Sequence, residues 1–95
     1  VDRADALEWA SRARLSRDEL VDALRTGAVD LDGALDRAAS DDLVGRIHVV
    51  SAVESLPGWG KVASRRALAE LGIEETTRLT EVDRVALVKR FEVAP

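Results

Sequence analysis

A chain of 95 residues, 46% hydrophobic and 34% charged, is one small globular domain and not a disordered segment. The absence of Cys excludes disulfides and thiolate metal sites and fits a reducing compartment. A net charge of −4 argues against a generic nucleic-acid binder, but residues 1–45 carry six Arg against eleven acids while residues 46–95 carry eight basic against seven acidic side chains.

Residues 2–26 read as one long helix, rich in Ala, with no Gly or Pro before Gly27. Leu7, Ala10 and Ala13 follow its expected inner face, then Leu20, Val21 and Leu24. Ser16-x-x-Glu19 is a capping-box pattern, so a break near Ser16 is the alternative. Asp30 is placed to cap a second helix reaching about Ala39, with Leu31, Leu35 and Ala38 inward. Ser40-Asp41-Asp42 reads as a turn or another cap. A third helix is expected at about 46–55. Its β-branched run Ile47–Val53 resembles a strand, but no second strand-like run is present to pair with it. A fourth helix, about 61–71, has Val62, Ala67, Leu68 and Leu71 as its apolar set and ends at Gly72, with Ile73 supplying a Schellman contact. After a turn at 74–79, Thr80-x-x-Asp83 predicts the cap of a fifth helix, about 81–92, offering Val85, Leu87, Val88 and Phe91 to the core. The fold class is therefore all-α: one domain over 1–95, with a helical segment at 1–42 and a helical module at 43–95. No apolar run approaches membrane-spanning length and no signal peptide is visible, so a cytoplasmic location is expected. The chain begins at Val1 without Met and is expected to be trimmed or cut from something longer.

The stretch Leu56-Pro57-Gly58-Trp59-Gly60-Lys61 organises the second half. Pro57 stops the incoming helix, and Gly58 and Gly60 can take positive φ and leave the backbone uncovered. Unpaired N–H groups and the dipole of the next helix then face outward, which makes the turn a candidate phosphate site. Lys61, Arg65 and Arg66 follow, and residues 56–66 contain no acid. The competing reading is a plain connector between two helices.

Leu43-Val44-Gly45-Arg46, with Val53-Glu54-Ser55 leading into this turn and Val62 beyond it, resembles the actinobacterial (mycobacterial-type) integration host factor family. Gly72-Ile73-Glu74-Glu75-Thr76-Thr77-Arg78-Leu79-Thr80-Glu81-Val82 resembles the second turn of the small-subunit ribosomal protein that carries the same helix–two-turns–helix module. The resemblance implies a nucleoid-associated protein binding duplex DNA with little sequence preference. Both turns would approach the DNA backbone, with further contacts from the long first helix. It places Gly58, Gly60, Lys61, Arg65 and Arg78 at family glycine or basic positions; with the neighbouring residues of the turn, the following helix and Arg46, the expected DNA face comprises Arg46, Gly58, Trp59, Gly60, Lys61, Ser64, Arg65, Arg66 and Arg78. Ala63, Thr77 and Thr80 stand where the family has basic residues, Glu81 where it has a turn glycine, and Trp59 where it has a small aliphatic. Weak binding is the expectation: five cations give a log–log salt slope of roughly −4 at best.

Other residues carry weaker readings. Trp59 is either an aromatic wedge or a core residue folded onto Val62 or Leu56, the latter favoured. Trp9 reads as core or a helix–helix contact. His48 has no second His or Cys nearby and reads as a surface or satisfied residue, not a ligand. Asp30, Asp32, Asp36, Asp41 and Asp42 lack the Gly and terminal Glu of a calcium loop and read as caps and solvated faces; no metal and no cofactor is expected. Arg12, Arg14 and Arg17 can reach DNA from the first helix or pair on the surface. A similar Leu-Pro-Gly-x-Gly turn with Lys occurs in DNA glycosylases, but this chain is short for enclosing a flipped base and no suitably spaced Asp follows Lys61, so a non-enzyme is expected. The alternative function is a protein-interaction module whose acidic first half docks a basic partner.

Overall fold

Nothing between Arg3 and Thr26 interrupts helical hydrogen bonding, and α1 (Arg3–Thr26) runs unbroken through Ser16. The computed structural model describes residues 3–95, so the expected start at Asp2 lies outside the described residues. At 24 residues α1 is about 36 Å long, most of the molecule's 44 Å long axis. Only Leu20 and Leu24 of this helix are buried. Its first half extends past the body, so Leu7, expected inside, is 62% exposed, and Ala10 and Ala13 are half-buried.

Asp30 caps α2 (Leu31–Ser40) as expected, its carboxylate accepting from Gly33 N at 2.7 Å. Leu31, Ala34, Leu35 and Ala38 face the core. Asp41 in turn caps the single turn α3 (Asp42–Gly45) through Leu43 N and Val44 N.

The predicted helix 46–55 is shorter than expected. Ile47 lies in a bend and His48 is extended, and α4 covers only Val49–Val53. The missing partner for the β-branched run is the second turn: His48 and Arg78 form an isolated antiparallel bridge. Leu79 N donates to Ile47 O at 3.0 Å and Val49 N to Thr77 O at 2.7 Å. No strand longer than this bridge occurs among the described residues, and the fold class is all-α as predicted.

Next, α5 (Gly60–Leu71) ends at Gly72 with φ 70°, and Ile73 N reaches back to Leu68 O at 2.9 Å, the anticipated Schellman closure. The capping box expected at Thr80 does not form. Thr80 donates from both N and Oγ1 to Gly45 O, and Asp83 caps α6 (Arg84–Phe91) through Ala86 N. Gly45 permits this docking, since an added Cβ would lie 2.6 Å from Thr80 Cγ2 and 3.0 Å from Ala38 O. Two residues assigned to the core by spacing, Val62 and Val85, are 73% and 77% exposed, because α5 and α6 each bury a narrower face than the apolar pattern covers. Arg84 ties α6 to α2, its NH2 donating to Asp32 Oδ1 at 2.8 Å and Asp36 Oδ1 at 2.7 Å. These bonds, first to Asp36 and then to Asp32, raise the Arg84 pKa and hold the guanidinium charged.

Candidate nucleic-acid interface

The Gly-rich turn closes as the sequence requires. Trp59 N donates to Leu56 O at 3.1 Å, with Gly58 at φ 82° and Gly60 at φ 69°. Pro57, Gly58 and Gly60 lie on the surface, and a Cβ at either glycine would meet nothing within 4 Å. No side chain caps α5, so the first-turn amides of this 12-residue helix open at that surface without an internal side-chain acceptor.

Trp59, included in the expected DNA face, points the other way. It is 6% exposed, and its ring meets Phe91 with centroids 4.3 Å apart and planes at 45°. Arg90 covers the indole at 5.1 Å. The wedge reading is thereby corrected: the ring is a core residue stacked on Phe91, and Val62, 73% exposed, is not part of that core. Ser64 is corrected likewise: it is fully buried, its Oγ has no partner, and it offers nothing to a surface ligand.

Helical spacing separates the cations of α5. Lys61 and Arg65, four residues apart, share a flank; Arg66 is rotated about 140° from Lys61 and faces elsewhere. Lys61 and Gly60 line a cleft against α1 together with Arg17, Arg25, Ser51 and Ser55, and with Asp18 and Glu54 as its acids. Arg65 is engaged by Glu75 at 3.0 Å and Glu54 at 3.9 Å. It ties the helix to the second turn, which leaves its charge partly neutralised.

A second cleft adjoins the first, sharing Arg17 and Ser51. Its charged lining is Arg14, Arg17 and Arg46, with His48 beside them and no acid. Arg46 reaches over the Trp9 ring at 5.5 Å while pairing with Asp42 at 3.2 Å. Trp9 is thus a helix–helix contact, 44% exposed, and not a core residue. Directly opposed residues of an antiparallel pair project to the same side, which sets exposed Arg78 beside His48.

The structure places Gly60 and Lys61 in one cleft and Arg46 in the adjoining one, sets Arg78 beside His48, leaves Gly58 exposed in the turn, holds Arg65 in ion pairs, turns Arg66 to another side of α5, and buries Trp59 and Ser64. It adds Arg14 and Arg17, between which the sequence left DNA contact and surface pairing open. Their i, i+3 spacing on an otherwise Ala-lined flank was the available signal. Many acids of the first half are engaged internally. Asp30 and Asp41 cap helices, Asp32 and Asp36 hold Arg84, Asp42 holds Arg46, and Asp18 lies 3.8 Å from Arg17.

Comparison with known proteins agrees with this architecture. Residues 24–91 match the family model for the S13-like H2TH domain. The integration host factor of Mycobacterium tuberculosis is 40% identical over 92 residues, covering 94% of this chain and 88% of that protein. The integration host factor of Streptomyces coelicolor is 36% identical over 77 residues, covering 81% and 72%. A solved structure of sIHF bound to an 8 bp palindromic DNA superposes with a TM-score of 0.78 at 29% identity, covering 86% of this chain and 92% of that one.

Proposed function

The chain belongs to the integration host factor family, and from that premise we propose that it binds duplex DNA through the phosphate backbone, with little sequence preference. We read its role as nucleoid-associated, in the cytoplasm, and as binding rather than catalysis. The observation that carries this reading is a pair of adjoining clefts along α1: Arg17, Arg25 and Lys61 line the one at the uncapped mouth of α5, Arg14, Arg17 and Arg46 line the other, and Arg78 pairs beside His48 there. Backbone amides at a helix N-terminus and flanking cations both favour phosphate, and neither reads a base edge. The DNA-bound relative supports the same class of ligand here. Sequence preference, where it arises, comes from the shape and deformability of the duplex.

The binding is weak for a physical reason. The second turn contributes Arg78 as its cation, Arg65 must leave Glu54 and Glu75 to reach a phosphate, and Thr77 and Thr80 are engaged in pairing with residues 45–49. Docking a basic partner through the acidic half is the less favoured reading, since so many of those carboxylates already have partners. Amide chemical-shift mapping with a short duplex tests the proposal. Perturbations concentrated at Gly58, Gly60, Lys61 and the Arg14–Arg17 flank are expected. Perturbations confined to α2, or to the Arg66 side of α5, would contradict it.

A further inference from the structure

His48 is the only histidine of the chain, and DNA binding through arginines and Lys61 leaves it without a role. It is exposed at the N-cap of α4, yet its side chain makes no capping hydrogen bond. Among the described residues no hydrogen bond or ion pair engages the imidazole. Its backbone is held firmly all the same. Residues 47–49 pair with 77–79, and Ser51 N donates to His48 O at 3.0 Å, so the ring is carried on a fixed support. The charges around it are of one sign. Arg14 and Arg17 come from α1, Arg46 from the segment before α4, and Arg78 from the second turn beside it. The acids of the same elements lie against other cations: Asp18 is 3.8 Å from Arg17, Asp42 3.2 Å from Arg46, Glu75 3.0 Å and Glu54 3.9 Å from Arg65. Arg14, Arg17 and Arg46 stay charged at any ordinary pH, whereas an imidazole gains and loses its charge between about pH 5 and 8. His48 is thus the one residue lining this acid-free cleft whose charge follows solution conditions.

We propose that His48 is a phosphate contact of the DNA site, and that a bound duplex loads its ring with a proton from solvent. The proposal rests on the DNA reading above and adds a dependence on pH to it. The cleft holds no carboxylate to partner a charged ring. A backbone phosphate seated among Arg14, Arg17 and Arg46 is such a partner, and the imidazolium donates to it through a charge-assisted N–H bond. The complex then binds more protons than the separated protein and DNA. Lowering the pH favours the side that binds more protons, so affinity rises as pH falls from about 8 to about 6. One such contact gives a gain of about three- to tenfold over that interval. It also adds a cation to the phosphate-binding set, so the salt dependence steepens as the gain appears.

The test is anisotropy of a labelled duplex of about two helical turns at about pH 6, 7 and 8, with ionic strength held constant, on the parent, His48→Gln and His48→Arg. The parent should bind about three- to tenfold more tightly at about pH 6 than at about pH 8, with a log–log salt slope steeper by up to about one. His48→Gln should match the parent at about pH 8 and lose the gain at about pH 6, while His48→Arg should bind tightly across the whole range. Both variants should keep their helicity, since the side chain is exposed and caps nothing. The single histidine supplies a second readout. Its ring Cε1–H resonance, followed by NMR, should titrate about 1 pH unit higher in the complex than in the free protein. The same pH dependence in the parent and in His48→Gln, or a ring titration that DNA leaves unmoved, would overturn the proposal and leave duplex binding standing. No duplex binding at any of these pH values would overturn both.

Discussion

Removing the Trp59 ring takes away the contact that joins the Gly-rich turn to α6, because the indole lies between Phe91 and the Arg90 guanidinium. Trp59→Ala should therefore cost about 3–5 kcal/mol of stability, as large-to-small changes of buried aromatics do. Urea unfolding followed by helical circular dichroism would measure it, and Trp59→Phe should recover part of the loss. Arg65 makes a different residue-scale prediction. Its partner Glu75 is half exposed, so Glu75→Ala should shift stability by no more than about 1 kcal/mol. It also removes a negative charge from the second turn and leaves the guanidinium only its longer 3.9 Å approach to Glu54. DNA affinity should rise at low salt, and the log–log salt slope should steepen by about one. Unchanged affinity would show that Arg65 takes no part in binding.

At the scale of elements, the docking of the second turn decides where Arg78 stands. That docking depends on Gly45, against which Thr80 and Ala38 pack without room for a Cβ. Gly45→Ala should destabilise the fold by about 1–3 kcal/mol, and the Tm of so small a domain should fall by several degrees. Its effect on DNA binding should exceed that of any other Gly→Ala change outside the Gly-rich turn. The elements also show which sequence signals were sufficient. The end of α5 was legible because Gly72 and Ile73 satisfy a local rule, and Asp30 stands as a cap for the same reason; the start of α6 was not, since Thr80, expected as its cap, docks on Gly45 and Asp83 caps the helix instead. The split of the expected helix 46–55 was not, because its cause is non-local: residues 47–49 pair with a turn thirty residues away that carries no strand pattern of its own. Leu7 was misassigned through the same limit. Periodicity identifies a face of a helix but not how far the body extends beneath it, and α1 outruns its support. Within the candidate site, the Gly-rich turn and Lys61 were readable from composition and spacing. The orientation of Trp59 needed the position of Phe91, which only the packed chain supplies.

For the whole molecule, net charge is a poor guide to its surface. Six acids of the first half cap helices or lie against arginines, while the basic surface includes one acid-free cleft. Short-range fields at that surface, and not the overall sign, decide what a phosphate meets, since charges more than about 10 Å away are screened at moderate salt. The central claim is that phosphate binding is centred on the clefts between α1 and the mouth of α5. Fluorescence anisotropy of a labelled duplex of about two helical turns, titrated across a range of salt, tests it most directly. The account predicts saturable binding with a slope of about −3 to −5. That slope should fall by about one in Lys61→Ala and again in Lys61→Ala/Arg14→Ala, and stay unchanged in Arg66→Ala. Binding lost in Arg66→Ala but kept in Lys61→Ala/Arg14→Ala would place the duplex on the opposite flank of α5 and contradict the account.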